Sequence, residues 1–401
     1  MSAATHNLNL STPPVIKVIG KWSLIIGVIA SVIAIGLAFK STPDFFHAYL
    51  LSYMECLGIA LGSMAILMLR HLTKGGWGMI IRRVLGAAMR TVPLLTVLFA
   101  PIVLFGMRDL YVWLDPVEIA KSEHLQHITR TYLSATGYVV RAAFYFTIWN
   151  LLSFFLTRWS REQDSAKSRD NTGRFKALSG PGLILYGFTI SFAAIDWLMS
   201  MDPTWISTIY GLVILIGQVL AALCFAVVIE RILYNYEPMS VLLQKEYVHD
   251  HGKFMLAFIM VWAYFNFSQW LIIWAGNLPE EITWYLKRLN GGWSGVGLLL
   301  VVTGFAVPFI FLVSRSFKRD ITKLVWLAAW LLVIRYIDLF WIIEPNFSKT
   351  FRVTLPDIVL PFALGGLWLA YFCHNLSSME LIPAYDPFAK EVLEPEREHH
   401  G

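Results

Sequence analysis

Charge is the scarcest commodity in this 401-residue chain. Asp, Glu, Lys and Arg together make up 15% of it and hydrophobic residues 57%, with a mean hydropathy of +0.60. A soluble domain carries about 25% charged residues, so a soluble reading is excluded. Cysteine is also rare. Cys56, Cys224 and Cys373 fall in separate apolar segments without a Cys-x-x-Cys pair, which removes zinc, iron–sulfur and c-type haem attachment and leaves them as small buried hydrophobes. No histidine lies inside an apolar run. His47, His71 and His374 sit at run ends, and His124 and His127 in a polar connection. A b-type haem needs ligands buried in the membrane, so none is expected, and the His124/His127 spacing reads as an exposed pair rather than a metal site. Nucleic-acid motifs are missing as well. Residues 1–16 are polar and lack the basic start of a cleaved secretion signal, so the first apolar run is predicted to act as an uncleaved insertion signal.

What the chain has is long apolar runs. Stretches of 18 or more apolar residues predict membrane-spanning helices, because backbone polar groups in lipid must be satisfied within the segment. Spans are predicted near 22–39, 46–69, 92–107, 133–156, 182–201, 206–229, 254–276, 293–314, 324–343 and 356–376. The 16 Trp, 16 Tyr and 27 Phe suit rings at headgroup depth. The fold class is therefore an all-α polytopic membrane protein of about ten helices. Residues 1–21 form a cytoplasmic N-terminal segment, 22–376 the transmembrane domain and 377–401 a cytoplasmic tail.

Loop charge orients the array. With the N-terminus inside, the inner loops hold Arg70, Lys74, Arg82, Arg83, Arg90, Arg158, Arg161, Lys167, Arg169, Arg174, Lys176, Arg231, Lys245, Lys253, Arg315, Lys318, Arg319 and Lys323. The outer loops hold only Lys40, Arg108, Lys121, Arg130, Lys287, Arg288, Lys349 and Arg352. That asymmetry puts both termini in the cytoplasm. The tail, with Asp386, Glu391, Glu394, Glu396 and Glu398 among Pro383, Pro387 and Pro395, reads as solvated.

The fifth span ends Asp196-Trp-Leu-Met-Ser-Met-Asp202-Pro203 and the ninth Asp338-Leu-Phe-Trp-Ile-Ile-Glu344-Pro345. An acid, a gap of five, a second acid and a proline recur at the same end of helices running the same way, as a parallel duplication would leave them. The predicted arrangement is two four-helix bundles, 46–201 and 206–343, with the first and tenth spans outside them.

Ionisable residues inside a bilayer cost about 2.5–3.5 kcal/mol each on insertion scales. Here they are Glu55, Arg141, Asp196, Arg335 and Asp338, with Asp202 and Glu344 at helix ends. Glu55 lies about nine residues, ~13 Å of helix, below the outer end of its span, so the acids are biased outward. Arg335 and Asp338 share a helix face and form either a structural pair or a step in a proton route. Asp196 has no basic partner in reach on its own helix, which favours a proton-exchanging role. Arg141, Tyr145 and Trp149 form one stripe at four-residue spacing, suited either to a quinone-like headgroup or to interhelix packing with Arg141 reaching the interface. Asn266 and Gln269 suit helix–helix hydrogen bonding. No residue is read as catalytic and none as a metal ligand.

Three stretches, "RAAFYFTIW" (141–149), "FAAIDWLMSMDPTWISTIYG" (192–211) and "FNFSQWLIIWAGNLPEE" (265–281), resemble the large membrane subunits of bacterial alternative complex III, a quinol:electron acceptor oxidoreductase. These belong to the polysulfide-reductase-type, or nitrite-reductase membrane-subunit, superfamily. The resemblance runs over nearly the whole chain, and its length places it nearest the smaller subunit, quinone-binding subunit 2. It implies a bacterial inner-membrane complex with a larger homologous membrane subunit, periplasmic iron–sulfur and c-type haem subunits, and lipids and quinone as further partners. It also implies a proton path in each bundle, with haem and clusters confined to the partners. The quinol pocket is expected in the larger paralogue, so this chain is expected to conduct protons, aid assembly, or both. Two other classes remain open: a secondary transporter, which would purify as a cofactor-free solute carrier, and a purely structural scaffold.

Overall fold

The computed structural model describes residues 8–164, 170–383 and 385–393. Every regular element in them is helical. Ten helices are long and apolar enough to cross a membrane: α1 Pro14–Ala38, α2 Thr42–Thr73, α3 Gly76–Leu110, α4 Ala135–Gln163, α5 Thr172–Met201, α6 Tyr210–Leu233, α7 Lys245–Gly276, α8 Trp293–Val313, α9 Ile321–Asn346 and α10 Leu355–Ser377. The chain is an all-α polytopic membrane protein. Lys167, Arg169, Glu394, Pro395, Glu396 and Glu398 lie outside the described residues, as does the side chain of Glu391.

Two helices form the centre. The apolar window of α2 is 94% buried and that of α6 83%, against 22% for α1 and 17% for α7. Glycine sets how closely the central pair approach: a Cβ on Gly62 would lie 2.2 Å from the Gln218 carbonyl oxygen, and one on Gly58 3.2 Å from the Gln218 side chain. Small residues at such crossings let helices gain packing in lipid, where no hydrophobic force drives association. Around this seam, α5 packs on α2, α4 and α6, while α9 packs on α6, α8 and α2. α9 also touches α7, through the Trp262–Asp338 contact.

Outside the seam, α1 lies antiparallel to α10. Gly27 meets Gly366, where a Cβ would come within 2.7 Å of backbone on either side, and Gly20 meets Cys373. The pairing puts both described chain ends on one face, where the Leu381 N–H donates to the Leu10 carbonyl at 2.9 Å. We call this the basic face, after the Lys and Arg it carries, and the other the opposite face. The three cysteines are buried thiols.

Two expectations need correction at the basic face. Residues 76–90, read as a charged loop before a third span at 92–107, are helical from Gly76 to Met89 and bend at Arg90–Thr91 before running on. This first stretch lies against the basic-face ends of other helices. Its Trp77 carbonyl meets His251 of α7, its Arg83 meets Ser160 of α4, and its Ala87 carbonyl meets Asn375 of α10. Its charge density resembled a loop because Arg82 and Arg83 are buried with partners far away in sequence. The C-terminal segment is the second correction. Up to Leu393 it folds back rather than trailing into solvent: Asp386 is buried, paired with Arg82 and 3.5 Å from Arg70, and Leu381, Ile382 and Val392 are buried beside it.

Replacing Gly27 with Val should part α1 from α10 and expose Cys373, which packs against Gly20. A membrane-permeant maleimide should label Cys373 in the variant and spare it in the parent; equal protection in both would contradict the glycine contact.

Candidate functional site

Asp196 of α5 is completely buried, and the expectation that it lacks compensation is overturned. Arg141 of α4 embraces it, Nε at 2.9 Å and Nη2 at 2.9 Å, and the Tyr145 hydroxyl donates to it at 2.8 Å. The partner sits on the neighbouring helix, beyond a search confined to one helix. Arg141 also donates to the Tyr132 carbonyl at 3.1 Å and lies 4.0 Å over the Tyr132 ring, so it points inward rather than toward the interface. Burial, reinforced by the Asp196 charge, pushes the Tyr132 phenol up to about 12. Trp149 donates to Thr189 of α5 at 2.9 Å. The polar ends of the Arg141, Tyr145 and Trp149 stripe are thus all engaged with α5 and the adjoining loop. The second acid of the motif, Asp202, is closed off by Lys287 at 2.6 Å.

The ninth helix treats the same pattern differently. Arg335 pairs with Asp338 on its own face, and Trp262 of α7 donates to Asp338 at 3.3 Å. Room for the guanidinium comes from Gly217 of α6, where a Cβ would lie 2.2 Å from Arg335 Cζ. Glu55 of α2 lines the same small cavity as Arg335 and Gln218, and Tyr186 of α5 donates to Gln218 at 3.0 Å. Residues far apart in sequence therefore form one polar centre at the α2–α6 crossing. Glu55 is attracted by Arg335 and repelled by Asp338, yet makes no hydrogen bond or ion pair among the described residues. It also borders a 360 Å³ groove between the bundle and the α1–α10 pair, with Ser52 and Tyr336.

From there acids continue toward the opposite face. Tyr336 lies in electrostatic reach of Glu55, Asp357 and Glu344, and donates to the Asp357 carbonyl at 2.9 Å. Glu344 is buried with Oε1 unpartnered, and Asp357, Asp44 and Arg352 surround it. Asp357 caps α10 through Thr354.

Sequence reading missed several of these groups. Asp357, just inside the predicted tenth span, was not counted among the ionisable residues. Glu230 and His251 lie just past the ends of the predicted sixth and seventh spans. Both are fully buried, with His251 Nδ1 3.0 Å from the Glu230 carboxylate and Nε2 2.9 Å from the Trp77 carbonyl. Arg288, taken as a loop charge, is fully buried over the Trp284 ring at 3.5 Å and donates to the carbonyls of Trp284, Trp341 and Ile342. Burial lowers its pKa to about 9. Carbonyls at the end of α9 meet the charge in place of a carboxylate.

His124 and His127 are exposed on the short helix Glu123–Thr131. Asn266 bonds its own helix, and Gln269 links Ser207 and Tyr285. Among the described residues, no three His, Cys, Asp or Glu side chains gather as metal ligands. No protein-family profile and no curated protein matches the chain.

Removing one partner of a buried pair costs about 3–5 kcal/mol. For Arg141→Ala the lower end applies, since Arg141 keeps 23% of its side chain exposed. Asp196→Asn, which retains the Tyr145 contact, should cost less, and Arg141→Leu with Asp196→Leu should recover most of the loss. Unfolding in mixed SDS micelles measures all three, and equal losses in the single and double variants would refute the pairing.

Proposed function

We propose that this chain is an integral subunit of a bacterial inner-membrane quinol:electron acceptor oxidoreductase of the alternative complex III type, with both termini cytoplasmic. It supplies a proton half-pathway and a helix scaffold beside the quinol-oxidising subunit. The observation that carries the reading is where the three resembling stretches meet. Residues 141–149 join 192–211 through Arg141 and Asp196, and 265–281 join 192–211 through Gln269 and Ser207 at 2.9 Å. Stretches separated by tens of residues converge near the opposite face, which becomes the periplasmic face under the positive-inside rule.

The two bundles divide the work. At the end of α5 both motif acids are paired, Asp196 with Arg141 and Asp202 with Lys287, which suits a scaffold. At the end of α9 the carboxyl of Glu344 keeps an unpartnered oxygen, and Glu55 from α2 stands beside Arg335 without a side-chain hydrogen bond. A carboxyl without a fixed partner inside a bilayer is costly and calls for a role; we assign it proton exchange. The route runs from the Arg335–Asp338 pair and Glu55, past Tyr336, to Glu344 and Asp357. Toward the basic face it stops. Gln218 and Glu230 are twelve residues apart on α6, ~18 Å of helix, and apolar residues packed against α2 fill the interval. This supports release to the outer side rather than conduction through the whole bundle.

The Arg141 stripe does not fit a quinone headgroup, since its donors already have acceptors. No quinol step is assigned to this chain, and haem and iron–sulfur clusters belong to partner subunits.

Purification from native membranes in mild detergent should bring down haem and iron–sulfur partners with the larger homologous subunit. In proteoliposomes of that complex, Glu55→Gln and Glu344→Gln should each lower outward proton release per electron at least twofold, with haem content unchanged, while Asp202→Asn should not. Parental proton release in both glutamine variants would sink the pathway, and a cofactor-free chain that carries a solute would sink the whole reading.

A further inference from the structure

A wide groove lies away from the acids, at the basic face between α3, α4 and α10. It holds 860 Å³, within the roughly 300–1,000 Å³ typical of small-molecule sites. Three arginines edge it: Arg90 at the bend of α3, and Arg158 and Arg161 at the end of α4. Pro93, Leu151 and Phe154 form an apolar wall leading from the basic end toward the membrane interior. Leu151 and Phe154 are exposed on this wall, at 49% and 55%.

The charges are unbalanced. Glu162 is the sole acid at the rim, and it already meets Arg158 at 3.1 Å and Arg174 at 3.5 Å. The Arg161 side chain has no hydrogen bond or ion pair among the described residues. Arg90 donates through Nη1 to the Asn375 carbonyl and the Ser378 hydroxyl, both at 3.3 Å, and gives its remaining guanidinium nitrogens no described acceptor. Arg90 and Arg161 are close enough to repel one another. Folding has brought like charges together and supplied no carboxylate between them. An anion with an apolar extension answers both the rim and the wall.

We propose that this groove binds an anionic phospholipid of the leaflet at the basic face. Its phosphate lies between Arg90 and Arg161, Arg158 is beside it, and an acyl chain runs along Leu151 and Phe154. Basic pockets between spanning helices on the cytoplasmic side recognise such headgroups, and planar guanidinium groups bind phosphate bidentately. The proposal needs the membrane fold but not the respiratory reading, and it engages none of the proton-route acids.

The test uses the full chain, purified in mild detergent, delipidated and titrated with tetraoleoyl cardiolipin, phosphatidylglycerol or phosphatidylcholine, with native mass spectrometry counting bound lipid. The parent should hold one anionic lipid through delipidation and rebind it in preference to phosphatidylcholine. Arg158→Gln with Arg161→Gln, both at exposed positions, should weaken that binding about 10- to 30-fold, and Arg161→Lys alone should retain most of it. Unchanged thermal unfolding checks that the fold survives. Inorganic phosphate should not compete at millimolar concentration; if it does, the site reads the ion alone and the lipid proposal fails. Equal retention in the double variant, or equal affinity for phosphatidylcholine, would overturn it too.

Discussion

The crossing of α2 and α6 governs everything else. At Gly58 and Gly62 there is no side chain to hold the helices apart, and the backbone of Gln218 comes to rest against α2. Any Cβ at Gly62 would push the helices apart, and the polar centre would come apart with them. Because the crossing is so tight, Glu55 on one helix and Gln218 on the other face a shared cavity, and α5 and α9 each gain two central neighbours. Gly217, one residue earlier on α6, then gives Arg335 the space to reach that cavity. Three small residues on two helices thus decide where a buried charge can sit.

From that crossing follows a division of polar groups by compensation. Each motif acid at the end of α5 is closed by a base from another element, whereas Glu344 at the end of α9 keeps an open oxygen. The acid–gap–acid–proline pattern occurs at both ends, so the difference comes from the surroundings: Asp196 and Asp202 take their bases from other elements, whereas Arg335 lies on the same helix as Asp338. Near the basic face a separate ionic set, Glu230 with His251 and Arg82 with Asp386, fastens helix ends to the first stretch of α3 and to the C-terminal segment. Apolar packing separates the two sets.

Ten spans and their order were legible in the sequence because lipid imposes one rule on every segment, and hydropathy measures compliance with it. The Arg335–Asp338 pair was legible because three-residue spacing on a helix is local. Asp196 was misjudged because its base comes from α4, and contact between neighbouring helices leaves no mark in spacing. Arg82, Arg83 and Arg288 were read as loop charges because charge normally reports solvent; here buried carboxylates, hydroxyls and helix-end carbonyls stand in for water. Glu230 and His251 escaped for a related reason, since the helices run on past the hydrocarbon and the apolar window ends before the pair begins. The acid-proline echo marked two helix ends that carry buried acids, although it could not tell which of those acids would be paired.

The α1–α10 pair has an implication for how the protein is made. The two helices fit through Gly20, Gly27 and Gly366, and α1 touches little else in the molecule. During synthesis, α1 enters the bilayer eight spans before its partner has been translated. Until α10 arrives it must remain a lone helix among lipids, its glycine groove open to other membrane segments. The arrival of α10 therefore completes the docking of α1.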